Sequence, residues 1–289
     1  MQLHELLAWF VKSSEVMDRT HTRPIALHGW RRVAGAMWHS PDDPQIFGAL
    51  DLDARPLLAM VDRARASGRH LTPTHLVGRA LAHALVEVPE VNVQIRGGFA
   101  RPRPSVDVFF ITAVSGGRDL SGVKVVSADT KSAQAIADEL DRRSAALKRG
   151  DDPEFARTKQ LTDQLPAWLL RPALRLSAFL TETLRLEIPK LGLHASPFGS
   201  AMVSSVGMLG LPRGFAPLAW MYDVPVLILV GEIAPQPVVN DGKVEARETL
   251  PITATIDHRY VDGWQVAKLM RAFREYLAAP ETFEPELTS

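Results

Sequence analysis

The chain contains no cysteine. Without a thiol, it has no cysteine nucleophile, no cysteine-ligated zinc site and no disulfide framework. A surplus of either charge is also missing, because 33 lysines and arginines balance 33 aspartates and glutamates. This balance argues against a general phosphate-binding or nucleic-acid-binding role, which would need a basic surplus.

Long uncharged runs are missing as well. No stretch of about 18 or more residues is free of charge, so we expect no membrane span. The N-terminal segment carries Glu5 and lacks a basic region followed by a long apolar core, so we expect no signal peptide. A cytoplasmic location is the default expectation, and the lack of cysteine fits a reducing compartment.

The remaining composition is that of an ordinary globular protein. Of 289 residues, 46% are apolar and 23% are charged, which is enough for one large domain. Apolar spacing, Pro73 and Gly150 predict helices within 50–68, 71–92, 132–150 and 261–277. Runs rich in β-branched residues predict strands within 105–114, 200–207, 224–233 and 236–258. There is no regular βαβ repeat and no glycine-rich phosphate loop, which indicates an α/β layered domain with a mixed sheet.

Residues 151–199 differ in character from their surroundings. They are leucine-rich, and one helical stripe contains Leu169, Ala173, Leu176, Leu180 and Leu184. The stripe allows three interpretations. The helix could lie on a membrane surface, dock a partner, or pack on its own domain or on a neighbouring subunit. The polar face carries both charge signs, whereas interfacial helices tend to be strongly basic, so packing is favoured.

His258 lies in the stretch ATIDHRYVDGWQVA, between a predicted strand and the last predicted helix. Asp257, Arg259 and Asp262 are nearby groups that could fix its tautomer. A metal site would need further ligands at suitable spacing, and a serine hydrolase would need a Gly-x-Ser-x-Gly elbow; neither pattern is present. The residues alone leave open a general base, a metal ligand and a satisfied core histidine.

A family resemblance narrows these alternatives. DHRYVDG resembles the Asp-His-Arg-x-x-Asp-Gly signature of the catalytic domain of dihydrolipoyl acyltransferases, the core component of 2-oxo acid dehydrogenase complexes. Chloramphenicol acetyltransferases and peptide-synthetase condensation domains share His-x-x-x-Asp-Gly but have a second histidine where this chain has Asp257. Similar segments follow in the family's order: RRVAGAM, LTPTHLVGRALAHALVEVPEVNVQI, VVSADTKSAQAIADEL, VSSVGMLGL and VPVLILVGEIAPQPVVNDGKV.

The resemblance implies a two-layer α/β sandwich with a mixed sheet, like that of chloramphenicol acetyltransferase. A catalytic-type domain would span 27–289 after an N-terminal helical arm at 1–26, with a helical insertion at about 151–199. The family assembles as trimers whose active-site histidine and serine come from adjacent chains. We therefore expect a homo-oligomer built from trimers.

The resemblance also implies two catalytic roles. His258 would be the general base that takes the proton from a thiol of coenzyme A or of a dihydrolipoyl group. Ser204, the first serine of VSSVG, would donate a hydrogen bond to the tetrahedral oxyanion.

Three further roles implied by the resemblance are structural. The carboxylate of Asp262 would pair with an arginine of the opening helix, for which Arg31 is the candidate and Arg32 the neighbouring alternative. Gly263 would allow a tight turn into the last helix.

The chain departs from the family in several places. No lipoyl-lysine motif is visible, so we expect no lipoyl group on this chain. The lack of metal-ligand spacings predicts no metal. The resemblance implies coenzyme A or acyl-CoA as substrate. A protein that bears a lipoyl group is a candidate partner. The family's Gly-Leu-x-x-Pro loop reads RDLSGVKVV here and lacks the proline turn. The hypotheses are a stand-alone acyltransferase acting on a thiol, a non-catalytic trimeric scaffold, and an O- or N-acyltransferase.

Overall fold

The computed structural model describes residues 44–96, 99–114, 119–149, 166–183, 186, 196–219 and 222–287. The strands in this part are β1 Gln45–Asp53, β2 Val93–Arg96, β3 Phe99–Pro102, β4 Val108–Val114, β5 Asp119–Val125, β6 Ala201–Ser205, β7 Val226–Val230, β8 Ala234–Asn240 and β9 Lys243–Asp257. The α-helices are α1 Arg55–Ala66, α2 Pro73–Glu87, α3 Ala133–Arg149, α4 Ala167–Ala178, α5 Gly263–Ala278 and α6 Pro280–Phe283.

A seven-stranded mixed sheet forms the centre of the fold. Its order is β1-β9-β7-β6-β4-β5, and β8 pairs with the first part of β9. The β4–β6 and β6–β7 pairs are parallel, and the other pairs in the sheet are antiparallel. Strands β2 and β3 form a separate antiparallel pair. The α/β class with a mixed sheet is therefore confirmed.

Helices α1, α2, α3 and α5 cover one face of this sheet. Alternate residues of the strands, such as Val203, Ile228 and Ile252, point into the same buried cluster as the apolar faces of these helices. In α1 the buried residues are the ones that helical spacing predicts: Leu57, Met60, Val61 and Ala64. The main core thus lies between the sheet and one layer of helices, as in a two-layer sandwich.

Helix α2 begins as its sequence predicts. Pro73 occupies the first turn and Thr72 is the N-cap, with extended backbone. His75 Nδ1 accepts a hydrogen bond from the backbone N–H of Thr72 at 3.3 Å. This contact takes the place of the glutamate or glutamine in the usual capping box and leaves the His75 ring buried.

The hairpin between β8 and β9 is also the predicted one. Asp241 and Gly242 both have positive φ, 47° and 77°. These values are typical of the Asp-Gly turn that matches the twist of paired strands. The turn fixes the register, in which Asn240 pairs with Lys243 and Ala234 with Thr249.

The predicted apolar stripe of the insertion is only partly buried. Helix α4 forms, but Leu176 is 59% exposed, while Leu169, Ala173 and Leu180 are half-buried. Residues Phe179–Thr183 continue α4 as a π-helical turn. A π turn advances each residue by a smaller angle than an α-helix, so the spacing of the stripe changes from Phe179 onward, whereas the exposed Leu176 lies before the turn. Leu184 lies outside the described residues.

The buried capping histidine predicts a specific pH dependence of stability. Burial lowers the pKa of His75 from 6.5 to about 4. Between pH 6.5 and pH 4, His75 is therefore protonated in the unfolded chain and neutral in the folded chain. The free energy of unfolding is unaffected by the titration of this residue above pH 6.5. It falls by up to about 1.4 kcal/mol per pH unit as the pH drops from 6.5 toward 4.

His75→Gln should flatten this acid limb, because glutamine keeps a cap acceptor without a titrating ring. The measurement is the free energy of unfolding by urea between pH 4 and pH 7, with His258→Gln, a change of an exposed histidine on another element, as the control. An unchanged acid limb in His75→Gln would contradict the assignment.

Candidate active site

The backbone around His258 is held by three hydrogen bonds. At the end of β9, the N–H of Asp257 donates to Pro225 O at 2.9 Å. The His258 N–H donates to Pro44 O at 2.8 Å, and the Tyr260 N–H returns to Asp257 O at 3.1 Å. The histidine therefore sits in a defined turn, residues 257–260, between the long strand and α5.

The Asp257 carboxylate binds Arg259. It accepts from Arg259 Nε at 3.0 Å, from Nη2 at 2.5 Å, and from the backbone N–H of Arg259 at 2.9 Å. Asp257 is buried, whereas the Arg259 side chain is half exposed. This bidentate ion pair stabilises the turn, and it occupies both oxygens of the Asp257 carboxylate.

A buried polar network lies on the other side of the same turn. Tyr260 Oη donates to Asp223 Oδ1 at 2.7 Å, and both residues are buried. Gln94 Nε2 donates to Asp223 Oδ2 at 3.4 Å, and Arg103 Nη2 donates to the Asp223 carbonyl at 2.5 Å. The sequence analysis missed this network, since its four residues come from three segments that are distant in sequence.

The His258 side chain itself is exposed. Within the described part of the chain, its ring has no hydrogen-bond partner. None of the three neighbours considered from the sequence contacts the ring, because Asp257 is bound to Arg259 and Asp262 caps a helix. The expectation that one of them fixes the tautomer is therefore wrong for the single chain.

Asp262 is the N-cap of α5. Its Oδ1 accepts from the backbone N–H of Trp264 at 2.8 Å, and its own N–H donates to Gln265 Oε1 at 2.9 Å. This reciprocal capping box explains why the helix begins at Gly263. The predicted partner Arg31 lies outside the described residues, as does Arg32, so the predicted pair stays a prediction.

Gly263 does not show the conformation that a tight glycine turn would require. Its φ is not in the left-handed region, and no atom of the described residues lies within 4 Å of the position of an added Cβ. In the described part of the chain, the first residue of α5 has no steric need for glycine.

Ser204 lies on β6, on the sheet face opposite the helices. The preceding residue, Val203, points into the main core. Met202, one residue further back, belongs to a second, smaller apolar cluster. Side chains alternate between faces along a strand, so Ser204 shares the face of Met202. Its hydroxyl is half-buried and makes no hydrogen bond within the described residues.

The strand register separates Ser204 from His258. Ser204 is level with Leu229, and Leu229 is level with Thr253. His258 lies five residues beyond Thr253 along the chain. With about 3.3 Å per residue and about 4.8 Å between strands, the two Cα atoms are roughly 19 Å apart. One chain therefore does not bring the two predicted catalytic groups together.

Exposed apolar side chains surround the Ser204 face. Phe47 of β1 and Phe215 contact each other edge to face, with ring centroids 5.4 Å apart, and both are mostly exposed. The segment after β6 adds exposed Met208, Leu209 and Leu211. Exposed apolar groups that contact each other, as Phe47 and Phe215 do, are typical of surfaces that other molecules cover.

Two negative findings apply to the described residues. They contain no group of three or more histidine, aspartate or glutamate side chains placed to hold a metal ion. They also contain no helix that is long and apolar enough to cross a membrane.

Comparison with known sequences confirms the resemblance. Residues 189–284 match the family described as 2-oxoacid dehydrogenases acyltransferase (catalytic domain). The dihydrolipoyllysine-residue acetyltransferase component of the pyruvate dehydrogenase complex of Mycoplasma capricolum is 23% identical over 225 residues, which cover 76% of this chain. The matched part is 41% of that protein, so this chain spans about two fifths of its relative.

Solved structures confirm the fold. Dihydrolipoamide acetyltransferase from Azotobacter vinelandii superposes with a TM-score of 0.61 at 18% identity, covering 91% of this chain and 93% of that one. The cubic core of a pyruvate dehydrogenase multienzyme complex gives a TM-score of 0.59 at 19% identity, covering 90% and 99%. The chain thus has the α/β fold of these two solved structures.

The capping role of Asp262 yields a stability prediction. Asp262→Ala should lower the free energy of unfolding by about 1 kcal/mol, because the N–H of Trp264 loses its acceptor. Asp262→Asn should keep most of that stability, since asparagine caps nearly as well. Urea unfolding of the three proteins measures both effects, and equal losses in the two variants would contradict the capping role.

The predicted pair between Asp262 and Arg31 is tested by a double-mutant cycle with Asp262→Asn and Arg31→Gln. A coupling energy of at least about 0.5 kcal/mol is expected for groups in contact. Additive losses would show that Arg31 is not the partner, and the cycle would then be repeated with Arg32→Gln.

Proposed function

We propose that this chain is an acyltransferase that moves an acyl group between coenzyme A and a thiol, with a dihydrolipoyl group as the first candidate acceptor. His258 is the general base and Ser204 the oxyanion donor. The observation that carries the proposal is that the segment matching an acyltransferase catalytic domain contains both residues, Ser204 on β6 and His258 directly after β9.

The chemistry needs one base and one hydrogen-bond donor. The neutral His258 imidazole removes the thiol proton, and the thiolate attacks the carbonyl carbon of the acyl thioester. The resulting oxyanion accepts a hydrogen bond from the Ser204 hydroxyl. When the carbonyl re-forms, the other thiolate leaves and takes the proton back from the imidazolium. General base catalysis is worth about 10²–10⁴-fold and one oxyanion donor roughly 3 kcal/mol.

The separation of the two residues supports a site shared by two copies of the chain. Each group must lie about 3 Å from the reacting atoms, which the spacing of roughly 19 Å within one chain excludes. A second copy placed against the Ser204 face would cover the exposed Phe47 and Phe215. That copy would bring its own His258 ring to this face, enclose the ring and shield the oxyanion from water. A trimer is the assembly that we propose.

One relative supports the residue roles, and another supports the assembly. Crystallographic and enzymatic work on the Azotobacter vinelandii enzyme concerns a serine, a histidine and an asparagine in its catalytic mechanism, the asparagine four residues after the histidine. That is the spacing of Asp262 from His258 here. The cubic core of the pyruvate dehydrogenase complex supports an assembly of many copies.

A non-catalytic scaffold is the second candidate function. The observation that favours it is the exposed apolar surface of the insertion, where Leu176 and Phe179 are 59% and 50% exposed. Residues Asp119–Val125, which fall within the altered RDLSGVKVV segment, form a regular strand rather than a proline turn. If coenzyme A binding is lost, docking of a partner on the exposed Leu176 and Phe179 would be the remaining function.

The proposal predicts thioester exchange that depends on His258. Purified wild type and His258→Ala would be incubated with acetyl-CoA and a panel of longer acyl-CoAs, with dihydrolipoamide as acceptor, while free coenzyme A is followed. We expect turnover by the wild type and a loss of at least about 100-fold in the variant. His70→Ala, an exposed histidine on the helical side, should keep wild-type activity.

Equal turnover by His258→Ala and the wild type would remove His258 from the reaction. No turnover with any donor, together with no binding of acyl-CoA, would overturn the acyltransferase proposal and leave the scaffold.

A further inference from the structure

We propose that Tyr260 is a positioning residue for His258, and that it acts through a hydrogen bond to the buried carboxylate of Asp223. The inference deepens the proposed function, since it assigns a role in holding the general base. Tyr260 lies two residues after His258, inside the turn that carries the imidazole.

The Tyr260 hydroxyl is fixed from two sides. It donates to Asp223 Oδ1 at 2.7 Å and accepts a hydrogen bond from the backbone N–H of Ile95. Burial, together with the neighbouring Asp223 carboxylate, raises the pKa of Tyr260 above its ordinary value. The phenol therefore stays protonated and keeps donating throughout the pH range in which an imidazole can act as a base.

Asp223 is itself held rigidly. Its backbone has φ of 50°, a left-handed conformation that is costly for a residue other than glycine. Arg103 donates to its carbonyl and has its guanidinium 3.9 Å from the carboxylate, with both side chains almost fully buried. Gln94 donates to the second carboxylate oxygen. Tyr260 is thus tied to an anchor fixed by the β2–β3 hairpin.

The anchor matters because the two central residues of the turn, His258 and Arg259, are exposed. The His258 ring, the Arg259 side chain and the start of α5 all face away from the core. Besides the backbone bonds to Pro44 and Pro225, the buried side chains of Tyr260 and its neighbour Val261 attach the turn to the body of the protein, and Tyr260 adds the hydrogen bond to Asp223. A base must be placed within a few tenths of an ångström, and a 1 Å error can cost about 10²-fold in rate.

The alternative is that the bond only adds stability. A buried, charge-assisted hydrogen bond also stabilises the folded chain, so its loss lowers the melting temperature in either case. A purely structural role would leave the turnover of correctly folded enzyme unchanged. The two roles therefore differ in kcat and in the local order of the turn, not in overall stability.

The test uses Tyr260→Phe, which removes the hydroxyl and keeps the ring. We expect kcat for acyl transfer to fall about 10–100-fold, while KM for acyl-CoA changes little, because the substrate still binds. Amide hydrogen exchange by mass spectrometry should show faster exchange for residues 257–261, where the His258 N–H is bonded to Pro44. The rest of β9 should keep its protection.

Further variants sharpen the test. Asp223→Ala breaks the same bond and also removes the carboxylate beside Gln94 and Arg103, so it should lose at least as much activity as Tyr260→Phe. The double variant should lose no more than Asp223→Ala, since the bond to Tyr260 is already broken there. Asp223→Asn keeps an acceptor oxygen for the phenol and should recover most of the activity. Tyr222→Phe, adjacent to Asp223 but packed on Phe198, is the matched control and should behave as the wild type.

Unchanged kcat in Tyr260→Phe would overturn the inference while leaving the proposed function standing. If the wild type shows no acyl transfer, the proposed function fails, and hydrogen exchange decides this inference separately. Faster exchange confined to residues 257–261 would then support the anchoring role, and unchanged exchange there would overturn it.

Discussion

The hydrogen-bond register of β6, β7 and β9 is the constraint on which the account of this protein depends. It sets Ser204 level with the middle of β9 and leaves His258 beyond the end of that strand. Strand registers are fixed by one buried face, and slipping β6 by one residue would turn Val203 out of the core. The separation of the two groups is therefore built into the packing of the sheet, and chemistry that needs both must use a second copy.

A second consequence concerns rigidity. A site completed by another molecule requires each chain to present its groups in fixed positions before assembly. The turn that carries His258 meets this requirement through an ion pair on one side and a buried hydrogen bond on the other. Asp257 binds Arg259 at the surface, and Asp223 joins Tyr260 to the β2–β3 hairpin below. Burying Asp223 and Arg103 is costly unless every polar atom is paired, and the network supplies those partners.

Local signals in the sequence were sufficient for much of the fold. The Thr72-Pro73 start of α2, the Asp-Gly turn between β8 and β9, and the apolar face of α1 depend on neighbouring residues, and all three are confirmed. The Tyr260–Asp223 bond joins residues 37 positions apart. The sequence around each of them looks like that of an ordinary surface loop, so the pattern does not predict the bond. Asp257 was a candidate partner of His258, but an adjacent arginine competes better for a carboxylate. The π turn after α4 has no sequence signature, so the change of helical spacing from Phe179 onward could not be anticipated.

Complementation between two inactive variants tests the central claim most directly. Chains carrying His258→Ala and chains carrying Ser204→Ala would be co-expressed, purified as mixed assemblies and assayed for acyl transfer beside each variant alone. If neighbouring chains share the site, randomly mixed trimers should recover about one quarter of wild-type activity, because that fraction of interfaces joins an intact histidine to an intact serine. Mixed assemblies as inactive as the separate variants would contradict a shared site.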